Sequence, residues 1–293
     1  MVQRANWRVF QMSGVVLGLV LLGGAISVAL NSADLSALAG ANPAAVGWLV
    51  LAVLGNLLLT GMLFWLVTLP FVARLAPSLG TMISLIAISS LLNYLPLVRP
   101  GLMGRAVYLK LCHGLSFRHS FLILAIVLML SIVVVVVTVG LLFGLPRWQR
   151  PWVIPVILGI LILLTRPVAT MLLCRSVRYS WLWIPVRMAD LLVTAIRLWL
   201  AFHILGHPLA FDQALLAASG SLVVRLLALT PNGLGLSEWV VASIAATTMA
   251  MSTAEALAAA LVDRAVEVGV LSTVGLLAAW RLRRVQHALG KST

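Results

Sequence analysis

Long apolar runs alternate with short polar breaks from one end of the chain to the other, and the runs set the predicted elements. Stretches near 9–30, 46–69, 119–145, 151–173, 184–205 and 255–280 approach or exceed the ~20 apolar residues that carry a helix across ~30 Å of hydrocarbon. Hydrocarbon offers backbone groups no partners, so these six spans are predicted as helices and not as open sheet. Four shorter apolar segments, 80–94, 102–115, 212–229 and 237–250, form two pairs. The first pair is split by Leu95-Pro96-Leu97-Val98-Arg99-Pro100-Gly101, the second by Thr230-Pro231-Asn232-Gly233-Leu234-Gly235. An arm of about 15 residues is only ~22 Å of helix at 1.5 Å per residue, short of a full crossing. Broken, short hydrophobic segments at matching places in two halves point to a transporter-like site at membrane depth.

Loop charge orients these elements. Residues 31–45 hold Asp34 and no Lys or Arg, so that loop is expected outside and the N-terminus inside. Arg74 precedes the first broken pair; Arg99, Arg105, Lys110 and Arg118 lie in or after it, which puts both of its ends in the cytoplasm. A segment with both ends on one side reads as a re-entrant helical hairpin, here with its tip at Tyr94–Gly101. Loops 206–211 and 250–254 lack Lys and Arg, so the second pair is expected to enter from outside, tip at Thr230–Leu236. The tail with Arg281, Arg283, Arg284 and Lys291 returns to the cytoplasm. Only Pro146–Pro151, with Arg147 and Arg150, dissents from this arrangement. The predicted fold is one all-α polytopic membrane domain over 1–293, made of two inverted repeats, approximately 1–146 and 147–293. Each repeat holds three transmembrane helices and one re-entrant helical hairpin. The expected location is the cell (inner) membrane, multi-pass, with both termini cytoplasmic.

Composition agrees with this class and narrows it. The chain is 62% hydrophobic and 9% charged, against roughly 25% charged for soluble domains. Its net charge of +13 sits at the ends of apolar runs, which fits orientation and anionic lipid, not nucleic acid. Cys112 and Cys174 offer neither a disulfide framework nor metal-ligand spacing. The apolar run after Arg4 and Arg8 is too long for a secretory h-region and is expected to be retained. No nucleotide-binding Gly-rich loop, HExxH motif or paired carboxylates can be assigned, so no enzyme activity, catalytic residue, metal or cofactor is expected.

Ionisable residues inside apolar segments are costly and are functional candidates by default. Arg187 and Asp190, three apart on one helix, are expected to pair, with Arg197 deeper in that span. Asp263, Arg264 and Glu267 lie in the last span, Arg225 just before the second tip and Glu238 just after it. For Arg264 with Glu267, an internal ion pair and a functional role stand equally open. Arg225 needs a partner from another segment, with Glu238 a candidate. His203 and His207 are read as interfacial. The tip residues Pro96, Pro100, Gly101, Pro231, Gly233 and Gly235 allow turns that other residues resist. A half-helix N-terminus offers free N–H groups and a positive dipole to a phosphate, and arginine adds bidentate recognition. Arg105, Arg225, Glu238 and Arg264 are therefore expected to line one central cavity and handle an anionic lipid headgroup.

These motifs resemble the flippase-like transmembrane region of lysylphosphatidylglycerol synthases and their stand-alone relatives. Pro231-Asn232-Gly233-Leu234-Gly235-Leu236-Ser237-Glu238 is similar to the family's Pro-Gly-Gly-x-Gly-x-x-Glu, and Ala258–Arg264 to its closing acid-Arg helix. Asn93–Gly101, Arg105 and Gly114-Leu115-Ser116 are similar to its first repeat. Leu102 stands where the family commonly has Glu, and Ile123–Leu130 is apolar where it often has an acid-Arg pair. The resemblance implies movement of lipid between leaflets. The 293 residues leave no room for the synthases' soluble aminoacyl-transfer domain, so lysyl-lipid synthesis is not expected. The expected function is a flippase-like carrier of an anionic phospholipid or polyprenyl-phosphate-type lipid. The rival is a non-transporting membrane subunit that docks a membrane-associated lipid-modifying enzyme such as a glycosyltransferase.

Overall fold

The computed structural model describes residues 2–32, 40, 42–72, 76–95, 100–144, 159, 163, 178–227, 229–248 and 251–289. The predicted span 151–173 (apart from 159 and 163), the 146–151 loop, Asp34 and Pro96 lie outside the described residues. All regular structure among the described residues is helical. Its α-helices are α1 (Val2–Ser32), α2 (Pro43–Thr68), α3 (Leu79–Leu92), α4 (Pro100–His113), α5 (Phe117–Gly144), α6 (Trp183–Ile204), α7 (Phe211–Leu227), α8 (Leu236–Thr248) and α9 (Thr253–Leu289).

Local chemistry sets several of these boundaries. Asn42 caps α2, its side chain accepting from the Ala44 N–H at 2.9 Å, with Pro43 pre-set at the first helical position. Ser78 caps α3 through the Thr81 N–H. Helix α4 ends on Gly114 at φ +66°, and the Leu115 N–H reaches back to the Leu109 carbonyl at 3.2 Å, the Schellman closure. Ser116 then accepts from the His119 N–H at the start of α5. Ser252 and Glu255 exchange hydrogen bonds as a capping box at the start of α9. Helix α9 runs on to Leu289, past the predicted end near 280, because no glycine or proline stands between Trp280 and Gly290.

Three helical stretches, Ser13–Ser32, Pro43–Phe71 and Phe117–Gly144, are long and apolar enough to cross a membrane. Helices α6 and α9 are also long, at 22 and 37 residues, but carry charges at mid-helix. The distribution of polarity is the reverse of a water-soluble protein. Arg187, Arg197, Glu238, Asp263, Arg264 and Glu267 are buried, whereas Val20, Val136 and Leu276 are 64%, 63% and 65% exposed. Apolar surface on that scale belongs against hydrocarbon. The molecule is an all-helical membrane protein.

Helix α9 is the hub, packing on α1, α2, α3, α6 and α8. The broadest contact joins α2 to α6. Short helices pack as pairs, α3 on α4 and α7 on α8. At Gly101 the two helices of the first pair nearly touch: a Cβ there would stand 2.0 Å from the Ser89 carbonyl oxygen. The Ser89 hydroxyl donates to the Gly101 carbonyl at 2.8 Å, closing the same contact.

Candidate functional site

Eight charged residues of the apolar segments collect into one network on α6, α7, α8 and α9. Asp263 and Glu267, four apart on α9, present both carboxylates to one face. Arg197 of α6 grips Asp263 with two hydrogen bonds, Nε to Oδ1 at 3.0 Å and Nη2 to Oδ2 at 2.9 Å. The same Nη2 donates to Glu267 at 2.9 Å, and Nη1 donates to the Asn56 side-chain carbonyl on α2 at 3.1 Å. The Asn56 amide in turn donates to the Asp190 carboxylate and backbone carbonyl, both at 2.9 Å. Arg187 pairs with Asp190 within α6, as the three-residue spacing predicts.

Glu267 is the centre of this set. It accepts both Arg225 Nη atoms at 2.9 Å, Arg197 at 2.9 Å and Arg264 at 3.3 Å. Arg264 carries the network onward to Glu238 through Nε, to the Ser237 hydroxyl at 2.9 Å and to the Asn232 backbone carbonyl at 3.1 Å. Its Nη1 also donates to Tyr94 Oη at 3.0 Å. One guanidinium thus ties Tyr94, just past α3 at the break of the first helix pair, to Asn232, in the break of the second. Four arginines (187, 197, 225, 264) face four acids (190, 238, 263, 267), so the buried set is formally neutral. Neutrality and mutual hydrogen bonding are what permit charge at this depth, because an unpaired buried ion is strongly destabilising.

Two of the sequence expectations about partners change. Arg225 pairs with Glu267 and not with Glu238, and Glu238 pairs with Arg264 across 26 residues. The cause is geometric: Glu238 lies in the first turn of α8, where it meets α9. The breaks behave as the glycines suggest. Gly233 and Gly235 sit at φ +74° and +76°, and Asn232 at φ +50°, a left-handed stretch between α7 and α8. A Cβ on Gly235 would stand 2.6 Å from the Gly18 carbonyl oxygen, so this break is packed directly on α1. Pro231 opens the short 3-10 turn Pro231–Gly233, and Pro100 opens α4.

A cavity of about 200 Å3 abuts the network. Its polar wall includes Asn56, Thr60, Ser90, Arg225, Asn232 and Glu267. The Arg225 side chain is 27% exposed, against 2–8% for the other ion-paired members of the network, so Arg225 is the cation most open to this space. Glu238 and Arg264 lie behind it, lining a recess of about 10 Å3, roughly the room of one water. Arg105 stands apart. It stacks over the Phe64 ring at 4.0 Å and lines a different cavity, because α4 packs on α3 and α5 whereas the network gathers on α6 and α9. The structure therefore brings together three of the four expected headgroup residues.

Asn56, Thr60, Tyr94, Asn232 and Ser237 belong to the network or its wall without having been singled out as site residues. Asn56 and Thr60 did carry a signal, two polar residues four apart in an otherwise apolar helix. His203 stacks on Trp199 with ring centroids 5.5 Å apart, and His207 lies 3.7 Å from Glu255, both away from the network. Among the described residues no group of three or more His, Cys, Asp or Glu is placed to hold a metal ion.

Fold and site define a helical integral membrane protein with a buried, charge-balanced polar centre beside a cavity. Comparison with protein-family models, with curated proteins and with solved structures returns no match.

Proposed function

We propose that the chain is a flippase-like lipid carrier, akin to the transmembrane region of the lysylphosphatidylglycerol synthases. In this reading the central cavity takes the headgroup of an anionic phospholipid or polyprenyl-phosphate-type lipid. The observation that carries the proposal is the meeting of both chain breaks at Arg264, beside a polar cavity opened by Arg225. A dry junction filled by Leu and Met would instead suit a docking subunit for a lipid-modifying enzyme. At about 200 Å3 the cavity suits a headgroup and leaves the acyl chains outside.

The same reading includes two inverted repeats with re-entrant hairpins α3/α4 and α7/α8. Helix contacts support it. Exchange of α2 with α6, α3/α4 with α7/α8, and α5 with α9 carries each packed pair among α2–α9 onto a packed pair. Thus α2–α3 maps to α6–α7, α3–α9 to α7–α5, and α2–α5 to α6–α9, while α2–α6 maps onto itself. Such closure is what a pseudo-two-fold axis beside α2 and α6 produces.

In the proposed cycle Arg225 exchanges its carboxylate partner for phosphate, and the acids keep the empty site neutral. The test is lipid scrambling in vesicles of phosphatidylcholine and phosphatidylglycerol, with fluorescent lipid quenched from outside. Arg225→Gln, Glu238→Gln and Arg264→Gln, each checked for folding, should lose most of the scrambling. Wild-type rates in all three folded variants would make the network a structural brace and end the carrier assignment.

A further inference from the structure

Helix α4 carries a buried cation that the central network does not neutralise. Arg105 is only 8% exposed. Among the described residues no carboxylate stands within ion-pair distance of it. The face of Phe64 offsets part of the cost of removing a guanidinium from water, and an anion is the natural remainder.

The surroundings say which kind of anion fits. Arg105 lines a cavity of about 240 Å3 between α4 and α5, walled by Leu102, Met103, Phe121 and Leu124. Ser120 also lines it, and its buried hydroxyl meets no hydrogen-bond partner among the described residues. Apart from these two polar groups the lining is apolar. Met103 and Phe121 are 52% and 56% exposed, so the cavity opens sideways onto the surface that faces hydrocarbon. Lys110, about one and a half turns along α4 from Arg105, and Arg118, at the start of α5, are exposed around the turn between the two helices. A cation and an unmet donor at the base of an apolar groove, under a basic rim, complement an anionic amphiphile.

We propose that the α4/α5 cavity holds the phosphate of an anionic phospholipid taken laterally from the leaflet on the Lys110 side. Arg105 and the Ser120 hydroxyl donate to the phosphate, and the acyl chains lie along the apolar faces of α4 and α5. This site is separate from the central cavity. It rests on the chain being a membrane protein and not on translocation, so lipid retention here and scrambling there succeed or fail independently.

Native mass spectrometry of the detergent-solubilised full chain tests this. The lipids are phosphatidylglycerol and phosphatidylcholine of matched acyl chains, with inorganic phosphate as soluble competitor. Wild type should retain phosphatidylglycerol in preference to phosphatidylcholine. Arg105→Gln should weaken the tightest phosphatidylglycerol site by about tenfold, the cost of a lost charged hydrogen bond. Leu124→Trp, which fills the cavity and leaves Arg105 in place, should do the same. Equal retention of the two lipids by wild type would overturn the site even if neither variant folds. Unchanged binding in both folded variants would also overturn it. Displacement by millimolar inorganic phosphate alone would make this an anion site without lipid selectivity and would overturn the assignment to phospholipid.

Discussion

Glu267 is where three guanidiniums converge, and the network's stability turns on it. Removing its charge leaves four arginines facing three acids, with every side chain but Arg225 buried. Breaking a buried pair by deleting one partner costs about 3–5 kcal/mol, because the other charge is left unmatched. Glu267→Gln should therefore lower the thermal midpoint of the detergent-solubilised protein sharply. Arg225→Gln should cost less than about 2 kcal/mol, as Glu267 keeps Arg197 and Arg264 and the lost cation was already partly exposed. Combining them restores the balance of three arginines against three acids, so the double variant should be more stable than Glu267→Gln alone. Strictly additive losses in that cycle would mean that charge balance is not what holds the centre together.

At the scale of elements, the short helix pairs depend on contacts that only glycine permits. In the α3/α4 pair the approach of Gly101 to Ser89 leaves no room for a methyl group, so Gly101→Ala must separate the helices or strain the backbone. It should cost more than about 2 kcal/mol, as overpacking does. Gly114→Ala meets open space and bears only its φ of +66°, a penalty of about 1–2 kcal/mol. Thermal unfolding of the two variants should rank them in that order, and the reverse ranking would mean that the close approach at Gly101 is not limiting. Most helix boundaries were legible in the sequence for related reasons: proline and glycine breaks and side-chain caps such as Asn42, Ser78 and Ser252 act locally. Partners were legible only where both lie on one helix, as with Arg187–Asp190 and Arg264–Glu267. Pairings such as Arg225–Glu267 and Asn56–Arg197 join residues 42 and 141 positions apart. Nothing in local spacing encodes them; the packing of α6 against α2, α7 and α9 does. Arg105 was grouped with the central arginines because it follows a break, as Glu238 does, but α4 turns it toward Phe64 and α5.

For the whole molecule, the proposed inverted repeats make a statement about sides of the membrane. Both breaks reach Arg264, so the outer ends of α3/α4 and of α7/α8 extend away from a shared depth. Loop charge assigns Lys110, at the outer end of the first pair, to the cytoplasm, and Gly206, just before the second pair, to the outside. Helix lengths agree with partial penetration: α3, α4 and α8 have 14, 14 and 13 residues, about 20 Å each at 1.5 Å per residue, against a core of ~30 Å. Single cysteines at the two positions, in a chain whose exposed Cys112 and whose Cys174 are replaced, read this out directly. An impermeant thiol reagent on intact cells should label Gly206→Cys, and should label Lys110→Cys only after permeabilisation. Labelling of Lys110→Cys from outside would place the two pairs on the same side. The halves would then be parallel, and the exchange of helix contacts would need a different axis.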